Sequence, residues 1–85
     1  MTKVTVYGNA SCAYCGAARM LLKRKGVTWE DVAVHTDADK RAEMEQRSGR
    51  TSVPQIFIGE HHVGGFDELC DLDKSGELDK LLAAS

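Results

Sequence analysis

The chain alternates between short β-branched runs and longer stretches whose apolar residues recur at helical spacing. Val4-Thr5-Val6-Tyr7 predicts a first strand over Lys3 to Tyr7. From about Ala13 to Lys25, Ala17, Ala18, Leu21 and Leu22 share one helical face, and Gly26 supplies a stop. Thr28 to Val34 is β-rich enough for a second strand, and a strand–helix–strand connection within one sheet is nearly always parallel and right-handed. Thr36-Asp37-Ala38-Asp39 offers a capping-box-like start to a second helix, which Ser48-Gly49 closes. After Pro54, Gln55-Ile56-Phe57-Ile58 and His61-His62-Val63 flank Gly59-Glu60, a loop with Gly first that suits a type II′ hairpin turn. Beyond Gly64-Gly65, Asp67 is the expected cap of a last helical stretch. Leu69, Leu72, Leu78, Leu81 and Leu82 form its apolar positions, interrupted at Ser75-Gly76. Met20 and Met44 read as helix packing, Trp29 as a core or edge-strand anchor, and His35 as a loop residue.

Composition narrows the class. Eighty-five residues, 42% of them hydrophobic and one of them Pro, suit a single folded domain with a modest core rather than disorder. Met1-Thr2-Lys3-Val4 carries no long apolar segment behind basic residues, and no run approaches the ~18 apolar residues of a membrane span, so a soluble cytoplasmic protein is the expectation. With a net charge of −2 the chain offers no global attraction for nucleic acid. The local cluster Lys23-Arg24-Lys25 falls in the last turn of the first helix, where cations complement the helix dipole.

Three cysteines are too few and too oddly counted for a secreted disulfide scaffold. Two of them form Cys12-Ala13-Tyr14-Cys15. Zinc knuckles share that spacing, but a strand, a short loop and a helix start around it point more specifically to thiol–disulfide chemistry. A thiol must be deprotonated to attack a disulfide, and a free cysteine titrates at about 8.5; the amides and dipole of a helix start stabilise the thiolate. Cys12, at the loop-to-helix junction, is therefore the expected nucleophile. Cys15 lies one turn on, about 5–6 Å away on the same side, and is the resolving thiol that would attack a mixed disulfide on Cys12.

The order βαβ, α, β-hairpin, α carries Cys12-Ala13-Tyr14-Cys15 at the first helix, Thr51-Ser52-Val53-Pro54 before the third strand and Gly64-Gly65-Phe66-Asp67 after the fourth. With Arg47-Ser48-Gly49-Arg50 leading into Val53-Pro54-Gln55-Ile56-Phe57-Ile58, nearly the whole chain resembles the small bacterial dithiol glutaredoxins. The resemblance implies one α/β domain over residues 1–85 with a thioredoxin fold, a four-stranded mixed sheet flanked by helices. It also implies glutathione as reductant, disulfide-containing or glutathionylated proteins as partners, and a monomer. By family position Tyr14 would line the glutathione groove, and Val53 would offer its backbone to the cysteinyl part beside a cis Pro54. Thr51 belongs to the same segment. Gly65, Phe66 and Asp67 would hold the γ-glutamyl end, with Asp67 accepting from its ammonium, and Arg41 would help bind the glycyl carboxylate.

Three positions depart from the family pattern: Ala13 replaces the usual Pro, Asn9 replaces a common Lys, and Gly16 follows the second cysteine. Loss of that Lys removes one cation near the thiolate and the glycyl carboxylate, an effect of about 1 kcal/mol at an exposed site. Ala13 frees a backbone amide and relaxes the loop. Cys70, between Leu69 and Leu72, reads as a small buried hydrophobe. His61 and His62 could nominally join the cysteines in a zinc set, but cysteines at a helix start do not make a knuckle, and no metal site or tightly bound cofactor is expected. Two other functions compete with a glutathione-dependent reductase. One is a dimer in which Cys12 of two subunits and two glutathiones hold a [2Fe–2S] cluster; family members that assemble such clusters usually lack the proline, although many proline-lacking dithiol members are enzymes only. The other is a thioredoxin-like disulfide reductase whose own reductant is an enzyme rather than glutathione.

Overall fold

The computed structural model describes residues 3–83; the Met1-Thr2 part of the leader reading lies outside them. Its elements run β1 (Val4–Gly8), α1 (Ala13–Arg24), β2 (Glu30–Ala33), α2 (Ala38–Ser48), β3 (Gln55–Ile58), β4 (His61–Gly64), α3 (Phe66–Ser75) and α4 (Glu77–Ala83). The strands form one mixed sheet in the order β2-β1-β3-β4, with β1 parallel to β2 and the other neighbours antiparallel. This is the thioredoxin fold, as expected. No helix among the described residues is long and apolar enough to cross a membrane.

Both faces of the sheet are covered, so β1 and β3 are buried at every position, and Thr5 and Gln55 are their buried polar residues. Strand alternation divides their side chains. Val4, Val6, Ile56 and Ile58 face Ala18, Leu21 and Leu22 of α1 together with Leu69 and Leu78, whereas Tyr7 and Phe57 pack with Val34 and Met44 on the other face. Trimming a fully buried side chain such as Leu22 to Ala would cost about 2–5 kcal/mol. Lys25 caps α1 and ties its end to Asp73 and Asp79 of the last helices. The basic cluster thus serves the helix end, as expected, and adds a strap to α3 and α4.

Several expectations need correction. The second strand is shorter than Thr28 to Val34: Trp29 lies outside it, half-buried against the larger core, and Val34 bonds to the Gly8 carbonyl beyond its end. Asp37 alone caps α2, accepting from the amides of Asp39 and Lys40, with no reciprocal box. Met20 faces water, 62% exposed, because the buried stripe of α1 runs through Cys15, Ala18, Leu21 and Leu22. Cys70 is half-buried against the core rather than enclosed by it. Asp67 is not a cap. Gly65 holds that position, Asp67 lies within the first turn of α3, and Glu68 reaches back to the Gly65 amide at 2.7 Å. The hairpin is as expected, with positive φ at Gly59 and none at Glu60.

Candidate active site

Cys12 is the N-cap of α1. Its extended backbone (φ −84°, ψ 121°) turns the sulfur back over the helix start, where it accepts from the Cys15 amide at 3.3 Å. The loop before it is shaped by Asn9, whose side-chain oxygen accepts from the Ser11 amide at 3.1 Å and hydroxyl at 3.3 Å. No acidic residue occupies the first turn of α1, so the positive end of the helix is left for the sulfur. Burial by itself would push the Cys12 thiol up. Hydrogen bonds from the Cys15 thiol and from the Cys15 and Tyr14 amides, with the Arg19 charge, outweigh it and hold Cys12 below the ordinary thiol value.

Cys15 is the opposite case. It is fully buried, and burial followed by hydrogen bonding to Cys12 pushes it up to about 11. Its sulfur packs against Gly8 so closely that a Cβ there would sit 2.8 Å from it, which makes glycine a requirement of space at that point in β1. Two adjacent thiols of opposite acid strength can carry out an exchange in two steps: attack by the half-buried Cys12 thiolate, then release by the fully buried partner.

A groove of about 340 Å³ is lined by Tyr14 of the first turn of α1 and by Val53, Pro54, Gly65, Phe66 and Asp67, all from the expected set. Tyr14 is 63% exposed and its ring tilts against Phe66 at 6.3 Å. The Val53–Pro54 peptide is cis, as the resemblance implies. Among the described residues the Val53 amide and carbonyl take no hydrogen bond. Gln55 fixes the floor: its amide nitrogen donates to the Ser52 carbonyl at 3.0 Å, so its oxygen faces His62 at 2.7 Å and the His62 Nε2 must carry the hydrogen. Burial and the Arg50 charge hold His62 below its ordinary value.

Sequence reasoning missed four groove residues, Arg50, Ser52, Gln55 and Glu68. Arg50 pairs with Glu68 at 3.0 Å across 18 positions, a separation with no local signature. The Gly65 to Glu68 spacing, by contrast, was a readable helix-start signal. Arg41 and Thr51 do not line the groove; Arg41 pairs with Glu45 and donates to the Thr51 carbonyl at 2.9 Å, tying α2 to the loop. Asn9 faces a separate cleft with Gly8, Arg19, Asp31 and Val32. Arg19 was also missed, although its position four residues after Cys15 places it on the same helical face. Among the described residues no cluster of three or more His, Cys, Asp and Glu side chains is arranged to hold a metal.

Known proteins share this architecture and this sequence. The glutaredoxin family model matches residues 4–63. A glutaredoxin of Pseudomonas aeruginosa is 48% identical over 84 residues, covering 99% of this chain and all of its own length. Glutaredoxin 3 of Escherichia coli is 49% identical over 82 residues, covering 96% of this chain and 99% of its own. Among solved structures, glutaredoxin from Brucella melitensis superposes with a TM-score of 0.84 at 46% identity, over 96% of this chain and 89% of that one. A buckwheat glutaredoxin–glutathione complex gives 0.86 at 26% identity, over 95% and 76%. A family match across most of the chain, near-full-length relatives at almost half identity and the shared fold place this protein among the glutaredoxins, enzymes of thiol–disulfide exchange.

Proposed function

We propose that the protein is a glutathione-dependent reductase of protein disulfides and glutathionylated cysteines, acting through Cys12 and Cys15. The observation that carries this reading is the contrast between the two thiols, one held low at the start of α1, whose Tyr14 lines a peptide-sized groove, and one buried and held high. The Cys12 thiolate attacks the substrate disulfide, and the substrate's own thiolate leaves with a proton from solvent. The mixed disulfide on Cys12 is then cleared either by Cys15, which closes the Cys12–Cys15 bond, or by a glutathione thiolate.

The groove suits the tripeptide. Val53 presents unpaired backbone groups for strand-like pairing with the cysteinyl part, beside the cis Pro54. The first-turn amides of α3 face the γ-glutamyl carboxylate, and the exposed Asp67 carboxylate accepts from the ammonium. Arg50 supplies a groove cation where Asn9 does not, and Tyr14 covers the side of the cysteinyl sulfur. Arg41 and Thr51 act through the loop they hold together rather than by contact. Glutathione acts as a reductant where its pool is held reduced, and the cytoplasm is the compartment we assign to the enzyme.

The test separates the thiols. With a glutathionylated peptide and glutathione as reductant, Cys12→Ser should abolish turnover and Cys15→Ser should retain it, while reduction of a protein disulfide should need both. Equal loss in the two variants on the glutathionylated peptide overturns the assignment.

A further inference from the structure

We propose that Arg19 is a positioning residue that supplies charge to the buried thiol of Cys15, promoting the step in which Cys15 displaces the group bound to Cys12. The inference rests on the two-thiol exchange proposed above.

Arg19 leaves α1 one turn after Cys15 and turns inward over the end of β1. The Cys15 sulfur lies 2.8 Å, and an Arg19 guanidinium nitrogen 3.4 Å, from the point where a Gly8 Cβ would stand, so sulfur and cation are within about 6 Å of one another across a space kept open by glycine. The guanidinium is held there from two sides: it donates to the Asn9 carbonyl at 3.5 Å, and its Nε donates to Asp31 of β2 at 2.8 Å. The Arg19 side chain is only 24% exposed, against 53% for Asp31, so the cation is shielded from water more than its counter-ion. Burial makes Cys15 a weak acid and the Arg19 charge opposes it.

The chemistry shows when that charge matters. In the reduced protein Cys12 takes a hydrogen bond from Cys15 and, once ionised, repels a second thiolate. When Cys12 is bound in a mixed disulfide that repulsion is gone and Arg19 remains. Cys15 then loses its proton to solvent and its thiolate attacks the Cys12 sulfur. The Cys12–Cys15 bond forms, the bond from Cys12 to the glutathione sulfur breaks, and glutathione departs as a thiolate that is protonated in solution. An opposite charge within about 4–6 Å lowers a thiol's titration by roughly one to three units, and Asp31 keeps this case at the low end. Removing the charge reduces the thiolate population about tenfold per unit, but the more basic thiolate is the better nucleophile, which returns about half of that effect on a logarithmic scale. The expected slowing is about threefold to tenfold.

Reduced protein mixed with oxidised glutathione and quenched in acid at successive times lets mass spectrometry follow the Cys12–glutathione adduct and its conversion to the internal disulfide. Arg19→Gln should slow that conversion by about threefold to tenfold, and Arg19→Lys should restore most of the rate. Asp31→Asn, which removes the counter-charge, should convert at least as fast as the native chain. Conversion unchanged in Arg19→Gln, no rescue by Arg19→Lys, or equal slowing in Arg19→Gln and Asp31→Asn overturns the proposal, the last outcome marking the pair as a mechanical strut. Failure of any adduct to form on Cys12 would instead overturn the assignment of the nucleophile.

Discussion

Two helix starts bear on the groove, and they use the same electrostatic end in opposite ways. The first turn of α1 contains no carboxylate, and its cap is the sulfur of Cys12. The first turn of α3 contains Asp67 and Glu68, and its cap, Gly65, has no side chain to contribute. Glu68 therefore folds back onto the Gly65 amide and pairs with Arg50, so the helix end is largely compensated from within. The difference shows that a helix start promotes reactivity only where nothing else neutralises it. At α1 the uncompensated field stabilises the Cys12 thiolate, whereas at α3 it is largely taken up by Glu68 and leaves Asp67 exposed on the groove wall.

The largest effect expected from disturbing this contrast is at Asp67. Asp67→Ala removes a charge-assisted hydrogen bond to the glutathione ammonium, about 1.5–3 kcal/mol before solvent screening. KM for glutathione should rise about tenfold or more with the Cys12 titration unmoved, and unchanged glutathione kinetics would leave the groove assigned to the wrong ligand.

Glu68→Ala comes next and acts on stability. Its carboxyl is held below the ordinary carboxylate range, first by the Gly65 amide and then by Arg50. Because the folded value is depressed, the stabilisation is complete above the unfolded value of about 4.3 and is lost as pH falls through the folded one. The half-exposed ion pair adds little. At neutral pH the variant should lose about 1 kcal/mol, or about 4–8 °C in melting temperature, and this deficit should shrink as pH drops below about 4. A deficit independent of pH would mean that packing, not the carboxylate, closes the start of α3.

The smallest effect makes α1 resemble α3. Ala13→Asp places a carboxylate in the empty first turn, worth about 0.3–1 kcal/mol to the helix, and the same field then favours the Cys12 thiolate less. Following thiolate absorbance against pH, Cys12 should titrate higher by less than one unit. A downward shift would show that the helix end is not what holds Cys12 low.

Element order, the helix stops at Gly26 and Gly49, the hairpin loop and the placement of Cys12 at a helix start were all legible in the sequence, because each depends on neighbours within a few residues. So was the adjacency of Cys12 and Cys15, since a one-turn separation sets two thiols side by side in any helix. Local pattern misled where two local candidates competed: Asp67 has the chemistry of a cap, yet Glu68 three positions after Gly65 wins because the chain turns at the glycine. What only the tertiary structure decided joins distant segments. Arg50 meets Glu68 across the groove, Gln55 locks Ser52 while facing His62, and Arg41 is drawn to Thr51 instead of the groove. The unequal acidity of Cys12 and Cys15 belongs to both levels. The helix start that favours the Cys12 thiolate is a local property, but the burial that raises Cys15, the Gly8 space its sulfur fills and the Arg19 charge held by Asp31 exist only once β1 and β2 are packed against α1.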